Sequence, residues 1–225
     1  MNEALFLLHL LALYLLSVTI FHKKHHWHIV WLCIMPVLAN LTIAKQIMLF
    51  GFEVTTADVY SVAYFVGMNS YHERYGLKSA YKLVRLSLSI TVIVPILLCV
   101  HTVYIPSTHD EYQSVFVKLF TLVPWISLVS FGSFAISQFF ERRLFAYFAT
   151  RRSFVYETRS FLSASISQVL DTALFTYIAL GGLVHKPMDV FIVSYSIKLL
   201  ILSIWCCISL LHKNKVEAYV RHKNI

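Results

Sequence analysis

Two side chains of opposite charge, Asp171 and Lys198, stand inside long apolar runs of this sequence. A charge at mid-bilayer costs about 2.5–3.5 kcal/mol on insertion scales, so it faces a bundle interior, a water-filled cavity or a partner. A carboxylate can accept two neighbouring N–H donors at once, and an ammonium can supply donors to a carbonyl or amide. Such a pair could grip a flat polar molecule. It could equally pin one helix to another, as polar groups do between membrane helices.

The elements that must position the pair follow from composition. The chain has 225 residues, of which 58% are hydrophobic and 13% charged, against about a quarter charged in soluble domains. That balance fits a polytopic membrane protein in one domain, 1–225, with a core of about 29–211 and no room for a soluble domain. Seven apolar runs are long enough to be candidate spans: roughly 4–21, 29–50, 55–71, 80–105, 114–140, 160–182 and 189–211. The third is the weakest, being short and holding Asp58 and Asn69. The first, ALFLLHLLALYLLSVTIF, lacks a basic start and a small-residue cleavage site, and is expected to stay as a span.

Lys and Arg gather at 22–28, 71–85, 141–159 and in the tail, while the loops around 105–113 and 183–189 carry few. Basic loops face the cytoplasm. The alternation predicts an all-α bundle of seven transmembrane helices, a six-helix core plus an N-terminal extra helix, with N-terminus out and C-terminus in. The net charge of +8 thus marks lipid topology and lies on no single soluble face, which argues against a nucleic-acid partner.

Depth can be counted at 1.5 Å per residue, which puts Asp171 about 16 Å and Lys198 about 20 Å from the inner face. The sixth and seventh helices are joined by a short loop and should pack antiparallel, so the two charges fall within about a turn of each other. Asn40 lies at a similar depth in the second span, with Lys45 a turn or more further out. Gln168 precedes Asp171 by three positions and shares its helical face, extended by Ser160, Ala164 and Ser167. Gln138 and Glu141 mark the inner end of the fifth span and Asn69 that of the third. Polar groups at matched depth on different helices are how transporters build midplane sites.

Other patterns carry less. HKKHHWH (22–28) holds four histidines and could bind a cation, but reads as a basic juxtamembrane loop with an interfacial Trp27. His9 and His101 are lone histidines, not paired haem ligands. Cys33, Cys99, Cys206 and Cys207 lie in apolar stretches without CxxC spacing, so neither a disulfide nor a zinc site is expected. GxxxxGK[ST], GxSxG and HExxH are absent. No cofactor and no metal are expected, and a homo-oligomer is left open.

The run VLANLTIAKQIMLFGFEVTTADVYSVAYFVGMNSYHERYGLKSAYK (37–82) resembles the first half of the queuosine-precursor transporter family, also called type 1 vitamin-uptake transporters. FAISQFFERRLF (134–145), FLSASISQVLDTALFTYIALGG (161–182) and SYSIKLLI (194–201) resemble its later segments in order. The resemblance covers about 30–210. It implies an inner-membrane carrier importing 7-deazaguanine bases, either queuine or the cyano or aminomethyl precursor, for tRNA-modification salvage. The family's polar positions fall here on Asn40, Lys45, Asn69, Glu73, Gln138, Gln168, Asp171 and Lys198. Aspartate is common in the family where Asn69 and Glu141 stand. A guanine-like edge offers N1–H and 2-NH2 side by side to Asp171, its O6 would accept from Lys198, Asn40 or Gln168, and aromatic walls would sandwich the ring. The alternatives are a substrate-binding subunit of a multi-component ATP-driven vitamin importer, an intramembrane enzyme, for which no catalytic constellation is evident, and a purely structural membrane protein.

Overall fold

A computed structural model of the chain describes residues 1–150 and 156–223, apart from some side chains, among them those of Asn69 and Glu73 and those from Ile208 on. Arg151 and Arg152 of the basic 141–159 loop lie outside the described residues. The elements are α1 (Asn2–Phe21), α2 (His25–Thr42), β1 (Gln46–Leu49), β2 (Phe52–Thr55), α3 (Asp58–Val100), α4 (Gln113–Phe120), α5 (Val123–Ala149), α6 (Tyr156–Leu174) and α7 (Pro187–Lys223). A single 3₁₀ turn, His101–Val103, follows α3, and a π turn, Phe175–Ala179, follows α6.

Among the described residues, five helical stretches are long and apolar enough to cross a membrane: Asn2–Phe21, Lys78–Val103, Gln113–Phe148, Thr158–Ala179 and Pro187–Ile204. Their outward surfaces are hydrocarbon. Leu7, Leu11, Ile93, Leu97, Leu128 and Ile136 are all about half exposed or more. The interior holds small polar residues instead, with Ser87, Ser127, Ser133, Ser163, Thr172 and Thr176 all buried. Apolar outside and small-polar inside is the distribution that lipid solvent selects, because small side chains let helices approach closely.

The run at 29–50, expected as one span, divides. Its helix stops at Thr42, and residues 46–55 form an antiparallel hairpin in which Leu49 pairs with Phe52. The two loop residues, Phe50 (φ 51) and Gly51 (φ 83), both have positive φ, as a two-residue primed hairpin turn requires. One face of the hairpin is apolar and buried: Leu49 and Val54 pack with Phe6, Met35 and Val59 of α1, α2 and α3. Lys45 is therefore not part of a helical second span. It is exposed in the turn before β1, and its carbonyl accepts from Thr56 N–H at 2.9 Å.

The runs at 55–71 and 80–105 form two helices that follow one another across a kink within α3. Helix geometry is interrupted inside α3 only at Gly76, whose φ of 78° breaks the element into two arms and is a conformation most freely available to glycine. The first arm packs on α2. There Gly67 is buried, and a Cβ added to it would stand 2.6 Å from Leu32 Cδ2. Leu32 is itself fully buried with Tyr71, Ala80 and Leu83, so it has little space into which to retreat. Gly67→Ala is expected to lower stability by about 1–3 kcal/mol, the usual result of overpacking. A lowered thermal midpoint in detergent would show it, and an unchanged midpoint would mean that Leu32 yields freely.

The histidine-rich stretch turns partly inward. His25 Nε2 lies 2.7 Å from Tyr71 Oη, and Tyr75 Oη lies 2.8 Å from Nδ1 of the fully buried His28. What reads as a solvated basic loop is in part a buried clasp between α2 and the first arm of α3. Among the described residues no group of three or more metal-ligating side chains converges.

Candidate functional site

Helices α6 and α7 meet across the short segment that follows the π turn, and they carry the two charges to one place. Lys198 Nζ donates to Asp171 Oδ2 at 3.1 Å and to Thr172 Oγ1 at 3.1 Å. Depth counting from opposite ends of the two helices anticipates this meeting. The side chains retain 18% and 20% exposure for Asp171 and Lys198 respectively. The pair is therefore partly exposed and not sealed within the packing. This arrangement leaves lone pairs on the carboxylate and one ammonium proton available, which a bound polar molecule can take up.

A second carboxylate adjoins the pair. Asp58, at the first turn of α3, is buried, and the Ser194 hydroxyl donates to its carboxylate, 2.9 Å from Oδ1 and 2.8 Å from Oδ2. Ser194 precedes Lys198 by four residues on α7, so the two stand one above the other on one helical face. The Lys198 ammonium is near enough to act electrostatically on Asp58. Three elements thus bring Asp58, Ser194, Lys198, Asp171 and Thr172 into one polar strip.

The other sequence candidates divide. Asn40 is buried, and its Nδ2 donates to Ser127 Oγ at 2.8 Å, tying α2 to α5. Its neighbours Ala39 and Ile43 share a buried cluster with Ala179 and Leu180, just beyond α6. Gln168 is buried one turn before Asp171. Gln138 Nε2 donates to Glu141 Oε2 at 3.1 Å within α5 itself, a local bond that joins it to no neighbouring helix. Lys45 is in the turn before the hairpin, and the side chain of Asn69 lies outside the described residues.

Sequence reasoning missed Asp58, Ser194 and Thr172 as neighbours of the charge pair. The signal for Asp58 was present, since the insertion cost that singles out Asp171 applies to any carboxylate in an apolar run. It was read as weakening the third span. Ser194 and Thr172 carry no comparable signal, since hydroxyls are common inside membrane bundles.

The hairpin closes over this region. Its Glu53 N–H donates to Asp189 Oδ2 at the start of α7 (3.2 Å), and Gln46 Nε2 donates to the Leu183 carbonyl (2.7 Å). On its other flank Asn2 Nδ2 donates to the Met48 carbonyl at 3.0 Å. The hairpin therefore joins α1 to the α6–α7 connection at one end of the bundle.

A family described as "Putative vitamin uptake transporter" matches residues 55–211, a span that contains Asp58, Asp171, Ser194 and Lys198 and leaves out α1 and α2. A "Probable queuosine precursor transporter" of Bacillus subtilis (strain 168) is 30% identical over 177 residues, covering 75% of this chain and 76% of that protein. No solved structure matches the chain.

Proposed function

The chain belongs to the vitamin uptake transporter family, a multi-pass protein of the bacterial cytoplasmic membrane, and from that premise we propose that it imports a 7-deazaguanine base for salvage into tRNA modification. Queuine and its cyano and aminomethyl precursors are the substrates in view. The bundle crosses seven times as one domain, with N-terminus out and C-terminus in, and it acts as a carrier and not as an enzyme.

The single observation that carries this reading is the partly exposed Asp171–Lys198 pair. The carboxylate accepts N1–H and 2-NH2 of the base as a bidentate pair, in the way carboxylates bind two parallel donors. The ammonium turns toward O6. Tyr195 lies three residues before Lys198 on α7 and stacks on Phe191, with ring centroids 6.2 Å apart and planes 7° from parallel. That stack offers a flat wall for the ring. Gln168 and Asn40 supply further amides in the reading.

The test is direct binding and uptake by the purified protein in liposomes that contain no other component. Queuine and its two precursors are compared with guanine as competitor. Saturable entry of at least one deazaguanine is the expected result. Binding without entry would assign the chain to the alternative class, a substrate-binding subunit that needs a separate ATP-driven module. Absence of both would remove the substrate assignment.

A further inference from the structure

The carboxylate that the recognition scheme does not use is Asp58. It is buried, its hydrogen-bond donor is the Ser194 hydroxyl, and among the described residues it stands in no ion pair. Lys198, a cation that acts on it electrostatically, is already bonded to Asp171. Asp58, Asp171 and Lys198 thus sum to one net negative charge when all three are ionised. A buried charge without its own partner is unfavourable, and the usual resolution is to take up a proton.

We propose that Asp58, held by Ser194 beside Lys198, is the proton-binding site that couples transport to the proton gradient, at one proton per cycle. This rests on the carrier reading above. A proton from outer water adds to an Asp58 carboxylate oxygen, and the same O–H bond later breaks to give the proton to inner water. No other bond changes. With the proton on, the strip is electrically neutral and can pass through an occluded state. With the proton off, Lys198 is the shared counter-charge of both carboxylates.

Position supports the assignment. Ser194 is nearer than Lys198 to Pro187, the first residue of α7, by about 6 Å along the helix. In the orientation proposed, that end faces outward, so a proton entering from outside meets Asp58 before the substrate pair. The titratable groups on the surrounding elements leave Asp58 this role. On the first turns of α7 they are Lys198, Tyr195, whose hydroxyl donates to the Ser165 carbonyl at 3.5 Å, and Asp189, which is occupied by the Glu53 N–H. On α1 they are His9, whose ring meets Tyr60 edge-on at 5.3 Å, and Glu3, which accepts from the Phe50 N–H of the hairpin turn and from the N-terminal ammonium. The hairpin carries Glu53, with exposed Lys45 just before it. His28 of α2 is bonded far along α3 at Tyr75. Glu141 of α5 lies at the far end too, next to Arg142, whose guanidinium covers Tyr81.

Two measurements test this. In liposomes with an inward proton gradient, the wild type accumulates labelled base and loses the accumulation to a protonophore. Asp58→Asn is expected to lose gradient-driven accumulation at least tenfold while still exchanging internal for external base. Asp58→Glu, which keeps a titratable carboxyl, should retain coupling. Accumulation by Asp58→Asn equal to wild type, or wild-type accumulation driven by sodium and indifferent to the protonophore, would overturn the proposal. The second measurement needs no substrate. Infrared difference spectra on a pH step should show a buried carboxyl band that is missing in Asp58→Asn and present in Asp171→Asn. If no deazaguanine binds the wild type but that band behaves as expected, the substrate assignment fails and the proton site stands. If base binds and the Asp58-dependent band is absent, the proton site fails alone.

Discussion

Asp171→Asn is expected to abolish uptake and to leave the protein in the membrane at normal abundance. The substitution is nearly isosteric, so α6 and α7 can keep their packing. What changes is the donor and acceptor pattern. The carboxylate offers two acceptor oxygens to two adjacent donors, whereas the amide offers one oxygen and presents its own N–H groups to the other donor. One hydrogen bond becomes a donor–donor clash, and the remaining one loses its charge assistance. Lys198, 3.1 Å away, is left without its counter-charge and held only by Thr172. Truncating one member of a buried, hydrogen-bonded charge pair costs about 2–5 kcal/mol, or about 30-fold to several thousand-fold in affinity. Uptake of labelled base, normalised to the amount of protein in the membrane, measures it. Normal uptake by this variant would take Asp171 out of the site.

How far the sequence could lead is clearest at the residues where it led wrong. Asp171 and Lys198 were legible because charge is rare in hydrocarbon and helix rise is fixed. Counting residues from opposite ends of two antiparallel helices is then enough to put them side by side. The hairpin at 46–55 was not legible. QIMLFGFEVT is an apolar run continuous with the helix before it, and periodicity alone cannot tell a short buried strand from a helical segment. Its turn is Phe-Gly, a weaker signal than Asn-Gly or Asp-Gly. The price of that misreading was Lys45, placed on a helix that ends three residues before it. Gly76 reads as a loop between basic residues, and the structure keeps both arms helical around a single left-handed residue. Asp58 reads in the sequence as a mark against its span, not as a site residue. Its role depends on a partner 136 residues away in sequence, a separation that no local pattern encodes.

Removing both charges separates a structural pin from a working site. Lys198→Leu alone leaves Asp171 in a largely apolar setting without its cation. Breaking a buried pair from one side is expected to destabilise by about 3–5 kcal/mol. The double variant Asp171→Leu with Lys198→Leu removes the uncompensated charge, and apolar replacements of buried pairs are often neutral or stabilising by about 1–4 kcal/mol. The thermal midpoint in detergent should therefore fall sharply in the single variant and recover in the double. Uptake should be absent from both. If the pair served only to hold α6 to α7, the double variant would recover transport along with stability. Asp58 makes the comparison sharper, because Lys198 acts electrostatically on it as well. A protonated Asp58 is neutral and tolerates loss of the lysine, so stability recovers in full. An ionised Asp58 would be left with the Ser194 hydroxyl alone, and the double variant would stay destabilised until Asp58→Asn was added. The stability of the double variant, followed as pH rises, thus reports on the charge state of a carboxylate that neither substitution touches.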